Sequence, residues 1–417
     1  MATYTNKDEG RTAAIEAVKN ELRRNDDPKL YELLGWVYLE GKNYADAFDA
    51  YRTLDKLTKA QGGQIYAFAE RAFKEGAFEV AARAYQEAID VPVSAARMPY
   101  AKYGFAMALK EMSALSDTLA GVVTAAQVPA TESQPQYAGA IAYFRKVIGE
   151  YPRSEFSAKS YYQIGTIQFE RFFDLDGALT SFESVEREFP GQTIIHYDVA
   201  LKIGVVLTAK ADTARAARRF EFVTNAPNPT PDQHDEAEYR LAELEYFGGK
   251  FQDAIQRLSN ITLNLKADYA NDALQLLTFL QENKTTGEAA LAHFARADFL
   301  ARQRRNTEAI PLFLNLIEKY PQALLVDDAL MKVAALQAQA RLYTDAIRSY
   351  ERLLSEYKES SIALDKAQFN IGELLQFGVG DKTKSIAAYE KLLADFPQSI
   401  LAATARKRIR ELRGDSM

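Results

Sequence analysis

The chain has 417 residues, with 51 Lys and Arg against 57 Asp and Glu, a formal net charge of −6 and no cysteine. The lack of cysteine excludes disulfide bonds, thiolate metal sites and a cysteine nucleophile, and the mild negative charge argues against general binding to a phosphate backbone. Only 13 Pro and 21 Gly interrupt a composition rich in Ala, Leu, Glu and Arg. This composition predicts a soluble globular protein that is nearly all helix.

The N-terminal residues 1–27 are predicted to form a capping helix ahead of the first repeat. Nowhere does the chain contain the roughly 18 to 20 uncharged apolar residues that a membrane span requires. The start, from Met1 to Glu9, also lacks the apolar segment of a signal peptide. Two interpretations remain open: a cytoplasmic protein, or an exported protein whose leader was replaced by a cloning methionine.

A pair of residues four positions apart recurs along the chain, a small residue followed by a ring or a leucine. The nine instances are Ala47/Tyr51, Ala81/Tyr85, Ala140/Phe144, Ala178/Phe182, Ala216/Phe220, Ala254/Leu258, Ala309/Phe313, Ala346/Tyr350 and Ser385/Tyr389. Upstream of each pair lies a second small residue: Gly35, Ala69, Gly104, Gly165, Gly204, Ala242, Ala297, Ala334 and Gly372. Small residues let two helices approach closely, and the ring one turn later fills space between neighbouring hairpins. Each unit is therefore predicted to be a helical hairpin.

The spacing of these pairs divides the chain into segments. Repeats fill residues 28–268, with an insertion near 114–136 that is predicted to be the least ordered internal part. An extra helix is predicted over 269–286, a second array over 287–398, and a closing helix with a short tail over 399–417. Such a closing helix, apolar on one face and charged on the other, is what the end of a solenoid needs.

The first full unit carries Tyr31, Leu34, Gly35, Tyr38, Ala47 and Tyr51. These residues resemble the signature of the tetratricopeptide repeat, and the resemblance recurs over roughly residues 28–398. It implies an all-α solenoid, a right-handed superhelix of about nine helical hairpins plus capping helices. It also implies that the first helix of each hairpin lines a concave surface.

Two junctions after prolines are similar to each other. They read Tyr151-Pro152-Arg153-Ser154-Glu155-Phe156-Ser157-Ala158 and Phe396-Pro397-Gln398-Ser399-Ile400-Leu401-Ala402-Ala403. This variant resembles the bacterial envelope subfamily of the repeat, which includes the helical lipoprotein of the outer-membrane β-barrel assembly machine and the periplasmic partner of the Tol system. The resemblance implies a periplasmic or outer-membrane-associated location, with a cytoplasmic location as the alternative.

Residues with catalytic or metal-binding chemistry are sparse. The three histidines, His196, His234 and His293, lie in different units and have no second histidine at helical spacing. The run Gly378-Val379-Gly380-Asp381-Lys382 lacks the spacing of a phosphate loop and is interpreted as a turn. No nucleophile elbow or His-Glu-x-x-His motif occurs. We therefore expect no enzymatic activity, no cofactor and no metal.

Clusters of basic residues occur in separate units. Arg215, Arg218 and Arg219 form one, Arg302, Arg304 and Arg305 another, and the closing helix carries cations from Arg406 to Arg413. A nucleic-acid surface would align such cations and interleave them with aromatic rings. We interpret them as solvated helix surfaces, with a partner contact as the alternative, and we expect no nucleic acid to bind.

Aromatic residues on the first helices are the candidate binding residues. They flank or follow the small residue, and they are Trp36, Tyr66, Phe105, Tyr162, Phe169, Tyr239, Tyr246, Phe294 and Phe369. Two interpretations stay open for these rings: packing between repeats, or binding in a groove, where rings supply contact area at low entropy cost.

The predicted function is a non-catalytic scaffold that binds a peptide, a loop or a partner subunit on its concave surface. The alternative is a structural or oligomeric subunit of a larger bacterial envelope or surface assembly. Either way, the expected partner is a protein or peptide.

Overall fold

The computed structural model describes residues 8–91, 93–119, 135–190, 193–263, 268–357 and 363–414, and within these ranges the regular structure is helical throughout. The first helices are α1 (Asp8–Leu22), α2 (Pro28–Glu40), α3 (Tyr44–Thr58), α4 (Gly63–Lys74), α5 (Phe78–Asp90), α6 (Met98–Leu119), α7 (Pro135–Glu150), α8 (Glu155–Ile167), α9 (Leu175–Glu188) and α10 (Thr193–Ala209). They are followed by α11 (Thr213–Thr224), α12 (Pro231–Phe247), α13 (Phe251–Ile261), α14 (Ala270–Arg302), α15 (Asn306–Lys319), α16 (Val326–Gln339), α17 (Tyr343–Glu356), α18 (Leu364–Glu373), α19 (Lys382–Asp395) and α20 (Ala402–Arg413).

Three helices depart from regular α geometry. Helix α8 continues into a π-helical turn, Gln168–Phe172, and α18 continues into a second one, Leu374–Val379. Helix α14 is broken at Gly287, where φ is −173° and ψ is 57°. It therefore consists of two helical segments, residues 270–286 and 288–302. Most of the insertion predicted near 114–136, namely residues 120–134, lies outside the described residues.

Glycine in the first helix and a ring in the second set how closely helices approach. A β-carbon added at Gly204 on α10 would lie 2.4 Å from the Phe220 ring on α11, and one at Gly372 on α18 would lie 2.5 Å from the Tyr389 ring on α19. No side chain fits at such distances, so these crossings require glycine. The ring therefore mainly fills the gap inside its own hairpin, rather than only the space between hairpins as the sequence predicts.

The predicted small-and-large motif forms the core along the described chain. All nine small residues that begin the motif are 0% exposed, and eight of their nine partners are buried, with Tyr51 half-buried. Burial of a ring or leucine stabilises the fold by about 1.5 to 3 kcal/mol per side chain. The prediction of an all-α solenoid built from helical hairpins is confirmed.

Helix ends are closed by local hydrogen bonds. After Pro152, the Ser154 hydroxyl accepts from the Ser157 backbone N–H at 3.2 Å at the start of α8. At the end of α3, where the repeat usually has a proline, Lys59 takes a left-handed conformation (φ 53°). The buried carboxylate of Asp55 accepts hydrogen bonds from the backbone N–H groups of Gly62 and Gln64, at 2.8 and 2.9 Å, and so caps the start of α4.

The described turns between the two helices of a hairpin share one backbone feature, a residue with positive φ. Glycine holds it at residues 76, 249 and 380, whereas Lys42, Phe173, Ala211, Arg304 and Arg341 hold it elsewhere. A non-glycine residue in this region costs on the order of 1 kcal/mol. The positions of Phe173 and Arg304 matter for the site described below.

The contacts divide the chain into two compact units. The first unit holds most of the chain up to Ile167, and the second holds most of the chain from Gln168 onward. In the first unit, α2 packs on α3 and α4 on α5, and Phe105 of α6 lies 4.6 Å from Tyr143 of α7 between ring centroids. In the second unit, the same pairing joins α10 to α11, α12 to α13, α14 to α15, α16 to α17 and α18 to α19.

Candidate functional site

A groove of about 920 Å³ runs along the second unit. Its walls come from the π-helical turn after α8, from α12, from both segments of α14 and the turn that follows it, from α16 and α18, and from Tyr350 on α17. Apart from the two turns and Tyr350, these are the first helices of hairpins together with the additional segment of α14. We call this feature the second-unit groove.

Aromatic rings form a large part of the groove wall. Phe247 stacks on Phe299 with ring centroids 4.9 Å apart, and Phe279 lies 5.0 Å from Phe294. Phe169 and Phe173, on the π-helical turn and just after it, are 6.0 Å apart. These contacts fix the rings in place before any ligand arrives, which lowers the entropy cost of binding.

Two carboxylates of the groove, Glu243 and Asp298, are paired within the chain. Glu243 is buried on α12, accepts from Arg240 at 2.6 Å and also forms an ion pair with Arg302. Asp298 on α14 accepts from the Lys332 ammonium at 2.6 Å. Such pairing is what a buried carboxylate needs, because an unpaired one would pay the full cost of desolvation.

Tyr246 lies beneath the groove with its hydroxyl toward Asp298, to which it donates at 3.4 Å. Burial, and then the Asp298 carboxylate, raise the pKa of Tyr246 well above its ordinary value. The hydroxyl is therefore protonated at neutral pH and acts as a donor.

Asp328 is the groove carboxylate whose ionisation is most strongly perturbed. Asp328 is exposed at the surface of α16 and lines the groove, whose walls displace part of its hydration. This desolvation, followed by the neighbouring Asp327 and Glu282, raises the pKa of Asp328 to about 6. Its charge therefore changes near neutral pH, in a part of the groove close to Lys332.

Arg304 occupies the turn after α14 and is half-buried at the groove edge. Its guanidinium carbon lies 3.9 Å from the centroid of the Phe173 ring, and one N–H group donates to the Glu170 carbonyl at 3.4 Å. Burial lowers the pKa of Arg304 to about 10, which still leaves it charged at neutral pH. This contact joins two turns that are far apart in the sequence.

Four of the nine predicted ring residues line this groove: Phe169, Tyr239, Tyr246 and Phe294. Phe169 and Tyr239 are half-buried, so part of each ring is available to a ligand. Tyr246 and Phe294 are 2% and 3% exposed, so their rings pack in the core beneath the surface. For these last two, burial supports the packing interpretation.

The other five predicted residues are dispersed. Phe105 lines a smaller cavity of about 480 Å³ in the first unit, together with Phe48 and Arg52. Tyr66 is buried and donates its hydroxyl to Glu70 at 2.7 Å, which again supports packing. The remaining three, Trp36, Tyr162 and Phe369, are half-buried and line neither cavity.

Several groove residues are absent from the sequence-based prediction. Phe279 lies on the first segment of α14, which interrupts the repeat. An aromatic residue on such an inserted helix is a sequence signal that could have identified it as a candidate groove residue. Phe173 lies in a turn, outside the helix positions on which the prediction of ring residues rests. Arg304 is predicted only as part of a basic cluster interpreted as solvated surface, with a partner contact as the alternative, and the structure places it half-buried in another turn. Nothing in the sequence pairs them, because their contact depends on the tertiary arrangement.

The basic clusters are largely compensated by carboxylates. Arg219 donates to Glu186 at 2.7 Å, and Arg408 of the closing helix donates to Glu373 at 2.9 Å. Among the described residues, no group of three or more His, Asp or Glu has a metal-binding arrangement. None of the helices described combines the length and the apolar character needed to cross a membrane.

Comparison with known proteins identifies the repeat. Tetratricopeptide-repeat family models match residues 7–61, 267–323, 328–360 and 366–399. The predicted tetratricopeptide repeats are thereby confirmed in these four stretches, and such repeats are typical of non-enzymatic scaffolds for protein–protein interaction. The narrower resemblance to the envelope subfamily stays a prediction, as do the absence of catalysis and of nucleic-acid binding. No curated protein sequence matches the chain significantly.

Solved structures with the same type of fold are distant. The C-terminal part of a TPR repeat-containing protein from Cytophaga hutchinsonii shares 15% identity, covering 82% of this chain and 98% of that one, with a TM-score of 0.35. A tetratricopeptide repeat protein from Parabacteroides merdae shares 15% identity over 74% and 98%, with a TM-score of 0.29. The human IFIT1 dimer with m7Gppp-AAAA shares 14% over 98% and 88%, with a TM-score of 0.30. Similarity at this level says nothing about the ligand of this chain.

Proposed function

We propose that the chain is a non-catalytic scaffold whose second-unit groove binds an extended segment of a partner protein. The observation that supports this proposal is the groove itself, about 920 Å³ in volume and lined by rings and paired charges from successive first helices. The confirmed tetratricopeptide repeats are typical of protein-binding scaffolds.

The chemistry of the wall suits a peptide segment. Phe169 and Tyr239 present partly exposed rings that can cover apolar side chains. Tyr239 is itself braced by Tyr269, with ring centroids 5.5 Å apart. Rigid aromatic side chains of this kind contribute most of the binding energy at protein interfaces.

A peptide-display experiment tests this proposal. A library of random linear dodecapeptides is selected on the full wild-type chain, and the recovered peptides are measured by fluorescence anisotropy against Tyr239→Ala and Phe169→Ala. We expect each substitution to weaken groove-binding peptides by about tenfold, the effect of losing one aromatic anchor. Phe222→Ala serves as the matched control, because Phe222 is 52% exposed on α11 and does not line the groove.

The thermal unfolding of each variant is recorded beside its affinity. If the Tyr239 and Phe169 substitutions lower the melting temperature strongly, and affinity falls only as far as the loss of folded protein explains, the rings belong to the core. If recovered peptides bind all three variants as well as the wild type, the interaction surface lies elsewhere and the proposal is wrong.

The alternative role, a structural or oligomeric subunit of a larger assembly, has one observation in its favour. Phe377 and Val379 on the second π-helical turn are 37% and 50% exposed, and Leu342 on the neighbouring turn is 48% exposed. Gly378 lies against the Tyr343 ring, so the two turns are adjacent. Light scattering tests self-association: a mass near the monomer's 46.7 kDa argues against an oligomeric subunit.

We further propose that this scaffold works in a bacterial periplasm or at the outer membrane. Support comes from the two Pro-x-Ser junctions at Pro152 and Pro397. Ser154 also caps the N-terminus of α8, a structural role that does not depend on the cellular compartment. Osmotic-shock fractionation of cells that express the complete native gene tests the location, and recovery in the cytoplasmic fraction would contradict it.

A further inference from the structure

Arg304 has an incomplete environment for a half-buried cation. Its guanidinium lies at stacking distance over Phe173, and its one hydrogen bond, to the Glu170 carbonyl, is long at 3.4 Å. Within the part of the chain that the structure describes, no carboxylate forms an ion pair with it. A guanidinium has five N–H donors. Most of the donor capacity of Arg304 is therefore available to a ligand.

Three other arginines show what completes such an environment. Arg52 lies 4.6 Å from the Phe48 centroid and donates to both oxygens of Glu87, at 2.7 and 3.0 Å from Nε. The same grouping of ring, arginine and carboxylate occurs in Tyr239–Arg240–Glu243 and Phe377–Arg408–Glu373, with N–O distances of 2.6 and 2.9 Å. Arg304 lies closer to its ring than these three arginines do, at 3.9 Å, and lacks the carboxylate that each of them has.

We propose that the carboxylate of an Asp or Glu side chain in the bound segment occupies this position and pairs with Arg304. The proposal rests on the function proposed above and adds a chemical requirement to it, an acidic residue in the ligand. A ring beneath a guanidinium holds it in place and leaves the donors at its edge free, which is the geometry for a bidentate carboxylate.

The other groove cations do not compete for this role. Arg302 is already paired with Glu243 and Lys332 with Asp298, whereas Lys366 on α18 also lines the groove but is exposed and therefore fully hydrated. A ligand carboxylate gains most from the cation that is desolvated and without a counter-charge, since attraction is stronger where water is excluded. Burial around Arg304 favours such a partner in the same way.

The carboxylate is an internal side chain rather than a chain end. The groove lining extends onto α12, which precedes α14, and onto α16 and α18, which follow it. A segment lying along this lining continues past the turn that carries Arg304 in both directions. Amidation of the peptide C-terminus distinguishes the two sources, because it removes the terminal carboxylate and leaves the side chains unchanged.

The experiment is a double-mutant cycle on the dodecapeptides whose binding to the chain is weakened by Tyr239→Ala. Each Asp or Glu of a peptide is replaced by Asn or Gln, and affinities are measured for wild type and Arg304→Gln. We expect one acidic position whose replacement weakens wild-type binding by about tenfold and Arg304→Gln binding by less than about twofold. Arg304→Lys should retain part of the preference, because lysine keeps the charge without the bidentate geometry.

Arg341→Gln is the matched control. Arg341 occupies the equivalent turn after α16, also with positive φ, is exposed and does not line the groove. It should leave the cycle unchanged. Three outcomes would overturn this proposal alone. The groove-binding peptides could need no acidic residue, or replacement of the acidic residue could weaken binding equally in wild type and Arg304→Gln. Amidation of the peptide C-terminus could also abolish binding. A library that yields no Tyr239-dependent binder would overturn both proposals.

Discussion

Arg52 in the first unit and Arg304 in the second are placed alike but paired differently. Each lies over a phenylalanine, at 4.6 Å for Arg52 and 3.9 Å for Arg304. Arg52 is held by Glu87 from the next hairpin, whereas described residues supply no carboxylate for Arg304. The same grouping of ring, arginine and carboxylate therefore stabilises the fold when it is complete and provides the proposed binding position when the carboxylate is missing.

The two cavities around these arginines differ accordingly. The first-unit cavity is about 480 Å³ and lies on α3, α5 and α6, with the Arg52–Glu87 pair in its wall. The second-unit groove is about 920 Å³ and draws on more elements, including the extra segment of α14. The added helix and the two turns that meet at Phe173 and Arg304 distinguish a binding surface from an ordinary gap between hairpins.

The largest expected effect tests whether the two units share one packing scheme. Gly35→Ala in the first unit and Gly204→Ala in the second would place a β-carbon 2.7 and 2.4 Å from the ring of the same hairpin, Tyr51 and Phe220 respectively. We expect each to lower the free energy of unfolding by about 1 to 3 kcal/mol, the cost of overpacking a core. Urea unfolding followed by circular dichroism measures it.

The control for this pair is Gly139→Ala. Gly139 is exposed on α7 and has no neighbouring atom near an added β-carbon. Alanine there should stabilise by about 0.5 to 1 kcal/mol, because it removes the entropy cost of a helical glycine. Equal behaviour of all three substitutions would mean that the glycines do not set the helix crossings.

The second-largest expected effect on stability distinguishes Arg52, which has both a ring and a carboxylate partner, from Arg304, which has only the ring. Arg52→Gln removes the partner of Glu87, whose side chain is 26% exposed, so we expect a loss of about 1 to 2 kcal/mol in unfolding free energy. Arg304→Gln leaves no carboxylate unpaired in the described chain and should change stability by less than about 0.5 kcal/mol. Both are measured by urea unfolding at pH 7.

Arg348→Gln controls for the loss of an exposed ion pair. Arg348 bonds to Asp345 at 2.9 Å, but its side chain is 71% exposed, so the expected loss is below about 0.5 kcal/mol. Should Arg304→Gln destabilise as much as Arg52→Gln, Arg304 would have to be counted among the structural arginines, and the contrast between the two units would disappear.

The smallest expected effect concerns pH. The pKa of Asp328 is raised to about 6 from an ordinary value of 3.8, so the folded state holds the proton more tightly than the unfolded state. Raising the pH from about 4 to 6 should therefore lower the stability of wild type relative to Asp328→Asn, and the difference should stay constant above that window. We expect less than about 1 kcal/mol, because the carboxylate is accessible to solvent.

Unfolding curves of both proteins at pH 4 and pH 7 measure this difference. Asp345→Asn, at an exposed carboxylate on α17, provides the comparison for pH effects unrelated to the groove. A relative stability of Asp328→Asn that does not rise with pH would show that the groove walls do not desolvate this carboxylate.

Part of the candidate site could be predicted from the sequence. Phe169 and Tyr239 follow from their helical spacing beside a small residue, and both line the second-unit groove. The same rule also selects Tyr66, Tyr246 and Phe294, which are buried. Spacing places a ring on the face of a helix, but how deeply it is buried depends on the neighbouring hairpins, which the local sequence does not specify.

The sequence by itself determined the repeat, because close helix crossings require Gly or Ala opposite a ring, and that requirement recurs in every hairpin as a readable pattern. It also determined the all-helical class and the extra helical segment, through composition and a break in the spacing. Only the tertiary structure decided that Phe173 and Arg304 meet and that Arg304 is left without a carboxylate. The reason is physical: their turns are separated by several hairpins, so small rotations accumulated over all the intervening helix crossings bring them together.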